Sequence, residues 1–222
     1  MRFTPTDHRA VTDAVAAAEA RTDGEIVTVV AERSDAYHDV ALHWAVLAML
    51  GVLAWLAAYP GAAERLHGLV EPWAERTPPG AYLGVALVLA AATFLLVRLL
   101  LAPMRLRLAL TPGRTEARRV RRRALELFRA AAERRTRGRT GVLLYLSLAE
   151  RRAEIVADEA IHSRVAPEVW GEAMAELLAA TRSGRPGEGM AAAVGRIGRV
   201  LAEHFPNGEG DVNELPDRLI EL

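Results

Sequence analysis

Two long apolar runs dominate the hydrophobic pattern of the chain. The first, over residues 40–63, contains no acidic residue and no arginine, and the second, over 81–102, carries a single charge at Arg98. A helix needs about 20 consecutive apolar residues to cross the hydrocarbon core of a membrane. The pattern therefore predicts transmembrane helices at 40–60 and 81–102, joined by a short external loop at 61–80.

Shorter hydrophobic patterns on both sides of these runs predict a soluble α/β domain. Strands are predicted at residues 25–31, 142–148 and 153–157. Amphipathic helices are predicted at residues 7–22, 115–135, 167–181 and 186–203. The first two strands are joined by a long crossover and should be parallel, whereas the third should run antiparallel to the second. The tail ends in a short apolar segment formed by Leu219, Ile220 and Leu222.

The order of these elements predicts one domain interrupted by a membrane hairpin. Residues 1–39 form its N-terminal part, residues 103–222 form the remainder, and the hairpin occupies the crossover of the first βαβ unit. Insertion of a hairpin returns the chain to the side of the membrane from which it left. Both parts of the soluble domain are therefore expected on the same side.

Charge and composition orient the hairpin and exclude some kinds of chemistry. The external loop contains two arginines and three glutamates, whereas the segment after the second span is rich in arginine, which favours cytoplasmic termini. The polar N-terminus lacks the pattern of a secretory signal. Lys+Arg equals Asp+Glu at 28 each, so no overall charge attracts nucleic acid. Because there is no cysteine, disulfides and thiolate catalysis are excluded.

Three stretches of the chain resemble the TPM domain family. They are residues 24–30, residues 140–158, and Trp170 together with residues 187–205; the second stretch is the most specific. The resemblance implies an α/β/α sandwich. It also implies one of the activities credited to the family, which are acid phosphatase activity, divalent-cation binding and assistance to membrane complexes. In the usual family layout an anchor follows the soluble domain, so the inserted hairpin is a departure from it.

Polar residues follow the first two strands and form the leading candidate site. Glu32, Ser34 and Asp35 come after the first strand, and Ser147, Glu150 and Arg151 come at the end of the second. Ligands of open α/β sheets bind outside the carboxyl ends of parallel strands. Carboxylates in this position could hold a hard divalent cation, Ca²⁺ or Mg²⁺, and Arg151 or Arg105 could bind phosphate. Solvated loop charges are the simpler interpretation.

A second acidic group, formed by Asp23, Glu25, Asp158 and Glu159, should lie at the opposite end of the sheet. The two groups cannot form one site if the third strand is antiparallel to the second. No cation can therefore be shared between them.

Two hypotheses for the function follow from these patterns. The first is a cytoplasmic interaction domain, anchored in a bacterial inner membrane by two spans, that assists or regulates membrane protein complexes. The alternative is a metal-assisted acid phosphatase that uses the Glu32, Asp35 and Glu150 group next to the membrane. The expected partners are the lipid bilayer and a membrane protein, without nucleic acid, and small residues in the first span would permit homo-oligomers through the transmembrane helices.

Overall fold

The computed structural model describes residues 3–73, 76–131, 140–207 and 218–222. The chain forms two compact units. One, called here the α/β unit, comprises Met1–Asp35 and Gly113–Leu222, and the other, the helical unit, comprises Ala36–Pro112. The helical unit is thus inserted in the sequence of the α/β unit.

The elements of the α/β unit follow the predicted order, with additions. Its helices are α1 (Pro5–Glu19), α6 (Gly113–Ala131), α7 (Glu159–His162), α8 (Gly171–Arg182) and α9 (Pro186–His204), with a 3-10 turn at Pro167–Trp170. Its strands are β1 (Glu25–Ala31), β2 (Gly141–Ser147), β3 (Arg152–Ala157) and β4 (Ile220–Glu221). Strand β4 and helix α7 were not predicted, since both are too short to show a pattern. The helix predicted at 167–181 is instead a 3-10 turn followed by α8. Residues 132–135 of the helix predicted at 115–135 lie outside the described residues.

The sheet has the strand order β3-β2-β1-β4. The strands β1 and β2 are parallel, with Glu25 opposite Gly141 and Ala31 opposite Ser147, and β3 runs antiparallel to β2. Both predicted pairings are therefore confirmed. The strand β4 lies parallel to β1 on its other side, opposite Val29 and Val30.

Near the start of β1, a side chain occupies the edge of the strand that faces away from β2. The amide of Glu25 donates to the carbonyl of Thr140, toward β2. Because successive amides of a strand point to opposite sides, the amide of Ile26 points away from β2. It donates to the carboxylate of Glu19, from the last turn of α1, at 2.8 Å.

Helices cover both faces of the sheet, so the unit has three layers. One core cluster joins alternate residues of the strands, such as Ile26 and Leu144, to α1, α8 and α9. The other joins the intervening residues, such as Val27 and Leu143, to α6. Because both faces are buried, β1 and β2 are apolar along almost their whole length.

The helical unit consists of α2 (His38–Ala58), α3 (Pro60–Val70), α4 (Pro79–Leu100) and α5 (Met104–Ala109). Two of its helices, α2 and α4, are long and apolar enough to cross a membrane. They begin two residues before the predicted spans of 40–60 and 81–102. Helix α3 was not predicted, because the residues between the two spans were expected to form a loop.

Arg107 joins the two ends of the helical unit through hydrogen bonds. The Nε of Arg107 donates to the carbonyl of Leu101 at 2.7 Å, and its Nη1 donates to the carbonyl of Ala36 at 2.9 Å. The same Nη1 lies 3.1 Å from Nδ1 of His38. Arg107 therefore links the residues that begin the unit to the residues that follow α4.

Glycine permits the closest helix packing in the α/β unit. A Cβ added to Gly198 of α9 would overlap the Cβ of Ala18 in α1. A Cβ added to Gly195, also in α9, would meet no atom within 4 Å. The two glycines therefore provide matched positions at which to test the packing of α1 against α9.

Replacement Gly198→Ala should destabilise the protein by about 1–3 kcal/mol, because the added methyl group forces the two helices apart. Replacement Gly195→Ala should be neutral or should stabilise by up to about 1 kcal/mol, because alanine restricts the unfolded chain. The measurement is denaturant unfolding of the full chain in detergent, followed by circular dichroism. Equal effects of the two changes would contradict the packing described.

Candidate functional site at the carboxyl ends of the parallel strands

The loop after β1 and the turn after β2 lie side by side. The amide of Leu148 donates to the carbonyl of Ala31 at 3.0 Å, and the amide of Ala149 donates to the carbonyl of Glu32 at 2.9 Å. The parallel pairing thus continues beyond both strands. It brings residues 32–35 and 147–151 together, as the sequence analysis expected.

Glu150 is the buried centre of this region, with 8% of its surface exposed. One carboxylate oxygen, Oε1, accepts from the amide of Ser34 at 2.9 Å, and the other, Oε2, accepts from the hydroxyl of Ser147. The carboxylate therefore joins the two chain segments. Its oxygens are engaged by the protein itself.

Tyr145 extends this network into the core beneath α6. Its hydroxyl lies 2.9 Å from Oγ of Ser34. Burial raises the pKa of Tyr145 above 10.0, the charge of Glu150 adds to the increase, and the hydrogen bond with Ser34 opposes it. A buried phenol with a raised pKa remains protonated at neutral pH, so it acts here as a hydrogen-bonding group and not as a base.

Asp35 forms ion pairs with α6. Its Oδ2 lies 3.1 Å from Nη1 of Arg119 and 3.2 Å from Nη2 of Arg122. Two residues spaced by three face the same side of a helix, which allows both guanidinium groups to reach one carboxylate. The pairs hold the last residue before the helical unit to the first helix after it.

The arginines that follow β2 have separate roles. Arg151 is exposed and has a positive φ of 51°, in the turn between β2 and β3. Arg152 donates to the carbonyl of Gly113 at 3.0 Å and pairs with Glu116 at 3.4 Å. Arg105, the other predicted phosphate ligand, belongs to α5 of the helical unit.

The four predicted site residues therefore differ in their surroundings. Glu150 and Asp35 are engaged in contacts within the α/β unit, whereas Glu32 and Arg151 are exposed. Across the part of the chain that the structure describes, no three histidine, aspartate or glutamate side chains are grouped closely enough to hold a metal ion. Binding of a divalent cation stays a prediction, and the described residues provide no group of ligands for it.

Sequence reasoning missed Arg119, Arg122 and Tyr145. The two arginines lie among many others in α6, and their spacing of three residues was the only available signal. Tyr145 was taken only as part of a buried strand. Its hydroxyl could not be assigned a partner before the loop after β1 was placed.

The second acidic group lies at the opposite end of the sheet. Asp158 is buried, and its Oδ2 accepts from the amide of Gly141 at 2.9 Å. Glu25 is buried beside Gly141 in the parallel ladder, and the carbonyl of Asp23 accepts from the Thr140 hydroxyl at 2.9 Å. Glu159 is exposed. This group therefore surrounds the first residues of β1 and β2.

A shallow groove of about 360 Å³ lies on the outer side of the helical layer formed by α1, α8 and α9. Its lining residues are Arg21, Glu176, Ala192, Gly195, Arg196 and Arg199. Arg196 pairs with Glu176 at 2.5 Å and with Glu172 at 2.9 Å. The sequence analysis did not identify this groove, which is formed by residues far apart in the chain.

Comparison with known proteins supports the fold and the resemblance. The family model of the TPM domain matches residues 105–200. This range runs from α5 to α9 and omits α1 and β1. The fold is similar to that of the BA42 protein from the psychrophilic bacterium Bizionia argentinensis, an NMR structure, with a TM-score of 0.57 and 16% sequence identity over 100% of this chain and 97% of BA42. No protein with a curated description matches the chain significantly.

Replacement Glu150→Ala should destabilise the protein by about 1–3 kcal/mol, because the amide of Ser34 and the hydroxyl of Ser147 lose their acceptor. Replacement Glu32→Ala removes an exposed carboxylate and should change stability by no more than about 0.5 kcal/mol. Thermal unfolding of the full-length variants, purified in detergent, measures both effects. A tolerated Glu150→Ala would show that this carboxylate does not hold the two loops together.

Proposed function

We propose that this chain is a TPM domain protein anchored in a bacterial inner membrane, whose cytoplasmic α/β unit binds and regulates a membrane protein. The observation that carries the proposal is the insertion of two apolar helices, α2 and α4, within the sequence of an α/β unit that resembles the TPM domain. The family match covers residues 105–200, and the similarity to BA42, which is one of fold, covers the whole chain.

The length and surface of the two helices support membrane insertion. They contain 21 and 22 residues, and at 1.5 Å per residue each is about 32 Å long, enough for a hydrocarbon core of about 30 Å. Within α4, Ala90 is the one buried residue, and large apolar side chains such as Leu83, Leu87 and Leu99 are exposed. Lipid or a second pair of spans would cover this surface, which makes a homo-oligomer part of the proposal.

The candidate site supports an interaction role more than catalysis. Asp35 and Glu150 stabilise the loop at residues 32–35, after which the helical unit begins, and Glu150 joins this loop to the turn after β2. Only Ala36 and Tyr37 separate Asp35 from α2 along the chain. The exposed Glu32, Arg33 and Arg151 surround these loops. A partner that binds them would contact the α/β unit within a few residues of the first span.

The alternative is a metal-assisted phosphatase at the same place. Exposed Glu32 and Arg151 favour it, since a carboxylate could bind Ca²⁺ or Mg²⁺ and a guanidinium group could bind the phosphate of a substrate. In this alternative, Asp35 and Glu150 would have to exchange their present partners for the cation.

The absence of cysteine from the chain allows a direct test of topology. Residues Gly68, in α3, and Ser183, after α8, are both exposed. In intact cells a membrane-impermeant maleimide should label Gly68→Cys after passage through the outer membrane, whereas Ser183→Cys should react only after the inner membrane is opened. Equal labelling of both variants in intact cells would contradict the proposed topology.

Photo-crosslinking tests the interaction. A photoreactive residue at Arg33 or Arg151 should form an adduct with a membrane protein in living cells, and the same residue at Glu159, at the opposite end of the sheet, should not. Adducts from all three positions alike, or from none, would contradict the proposal. Phosphomonoester hydrolysis that requires added Mg²⁺ or Ca²⁺ and is lost in Glu32→Gln would establish the phosphatase instead.

A further inference from the structure

Residues 98–110, called here the basic foot, combine arginines with exposed leucines. Arg98 lies in the last turn of α4, and Arg105 lies in α5; both side chains are exposed. In the described part of the chain, neither arginine has a hydrogen-bond or ion-pair partner. The two charges are therefore available to a ligand.

Arg107 holds the foot against the rest of the helical unit. That side chain is half-buried and donates to the carbonyls of Leu101 and Ala36. Residues two apart in a helix project about 200° from each other, so Arg105 points away from the contacts that Arg107 makes. One arginine of α5 thus fixes the helix, and the other faces solvent.

Apolar side chains accompany the exposed charges. Leu106 and Leu110 have 46% and 39% of their surface exposed, and their spacing of four places them on one side of the helical turn. Leu99 and Leu100, at the end of α4, are exposed as well. Arginines next to exposed leucines are typical of a segment that lies at a membrane surface.

The segment of the chain that contains the foot carries charge of one sign. Between Arg76 and Thr115 the sequence contains no aspartate or glutamate, so no acidic side chain of this segment offsets Arg98 and Arg105. A phosphodiester is the complementary group, because a guanidinium group binds phosphate oxygens through paired hydrogen bonds.

We propose that the basic foot binds the headgroup phosphates of anionic phospholipids through Arg98 and Arg105, with Leu106 and Leu110 inserted among the acyl chains. The inference rests on the proposed membrane anchorage and adds the class of lipid. The anionic surface of the cytoplasmic leaflet would attract the foot and hold α5 in the plane of the membrane.

The test uses the full chain in nanodiscs of phosphatidylcholine alone or mixed with phosphatidylglycerol. Ala109 is exposed at the end of α5, so Ala109→Cys accepts a fluorophore whose emission reports its surroundings. Phosphatidylglycerol should shift the emission to the blue, and high salt should weaken the shift because it screens the charges. Arg98→Gln together with Arg105→Gln should abolish the dependence on phosphatidylglycerol.

Arg182→Gln together with Arg199→Gln is the matched control, since both arginines are exposed in the α/β unit. This control should retain the full shift. A wild-type shift that does not depend on phosphatidylglycerol, or a shift that survives in the Arg98 and Arg105 variant, would overturn the inference. If inorganic phosphate causes an equal shift in discs of phosphatidylcholine alone, the ligand of the foot is free phosphate and not a lipid headgroup. A chain that fails to enter the discs would contradict the membrane anchorage itself.

Discussion

The parallel pairing of β1 with β2 is the constraint on which the rest of the structure depends. It sets the register from Glu25 opposite Gly141 to Ala31 opposite Ser147, although the whole helical unit lies between the two strands in the sequence. The entropy lost on closing a long connection grows only with the logarithm of its length. A connection that folds into a compact unit can therefore be long without preventing the pairing.

Local contacts at each end of the insertion support this pairing. In the α/β unit, Asp35 is held by Arg119 and Arg122, and Glu150 accepts from the amide of Ser34. In the helical unit, Arg107 links Ala36 to Leu101. Asp35 and Glu150, two of the three carboxylates that suggested a cation site, thus have a structural role that requires no ligand, whereas Glu32 is exposed.

The sequence predicted β1, β2 and the two long helices α2 and α4 because each is an almost uninterrupted apolar run. It predicted the amphipathic helices of the α/β unit because apolar residues recur in them at helical spacing. The parallel and antiparallel pairings followed from the length of the connections between the strands. The strand β4 and helix α3 were missed, since a two-residue strand has no period and the residues between the spans were expected to form a loop. The side-chain partners of Glu150 and Asp35 could not be predicted, because Ser34 and Arg119 are brought to them by the tertiary fold alone.

The hydrogen bond from the amide of Ile26 to Glu19 has a consequence for synthesis of the chain. At roughly 5–20 residues per second, β1 leaves the ribosome on the order of ten seconds before β2. An unpaired apolar strand is prone to pair with other chains during such a delay. Glu19 belongs to the same N-terminal segment as β1, so it can occupy one edge of the strand before any partner strand has been made.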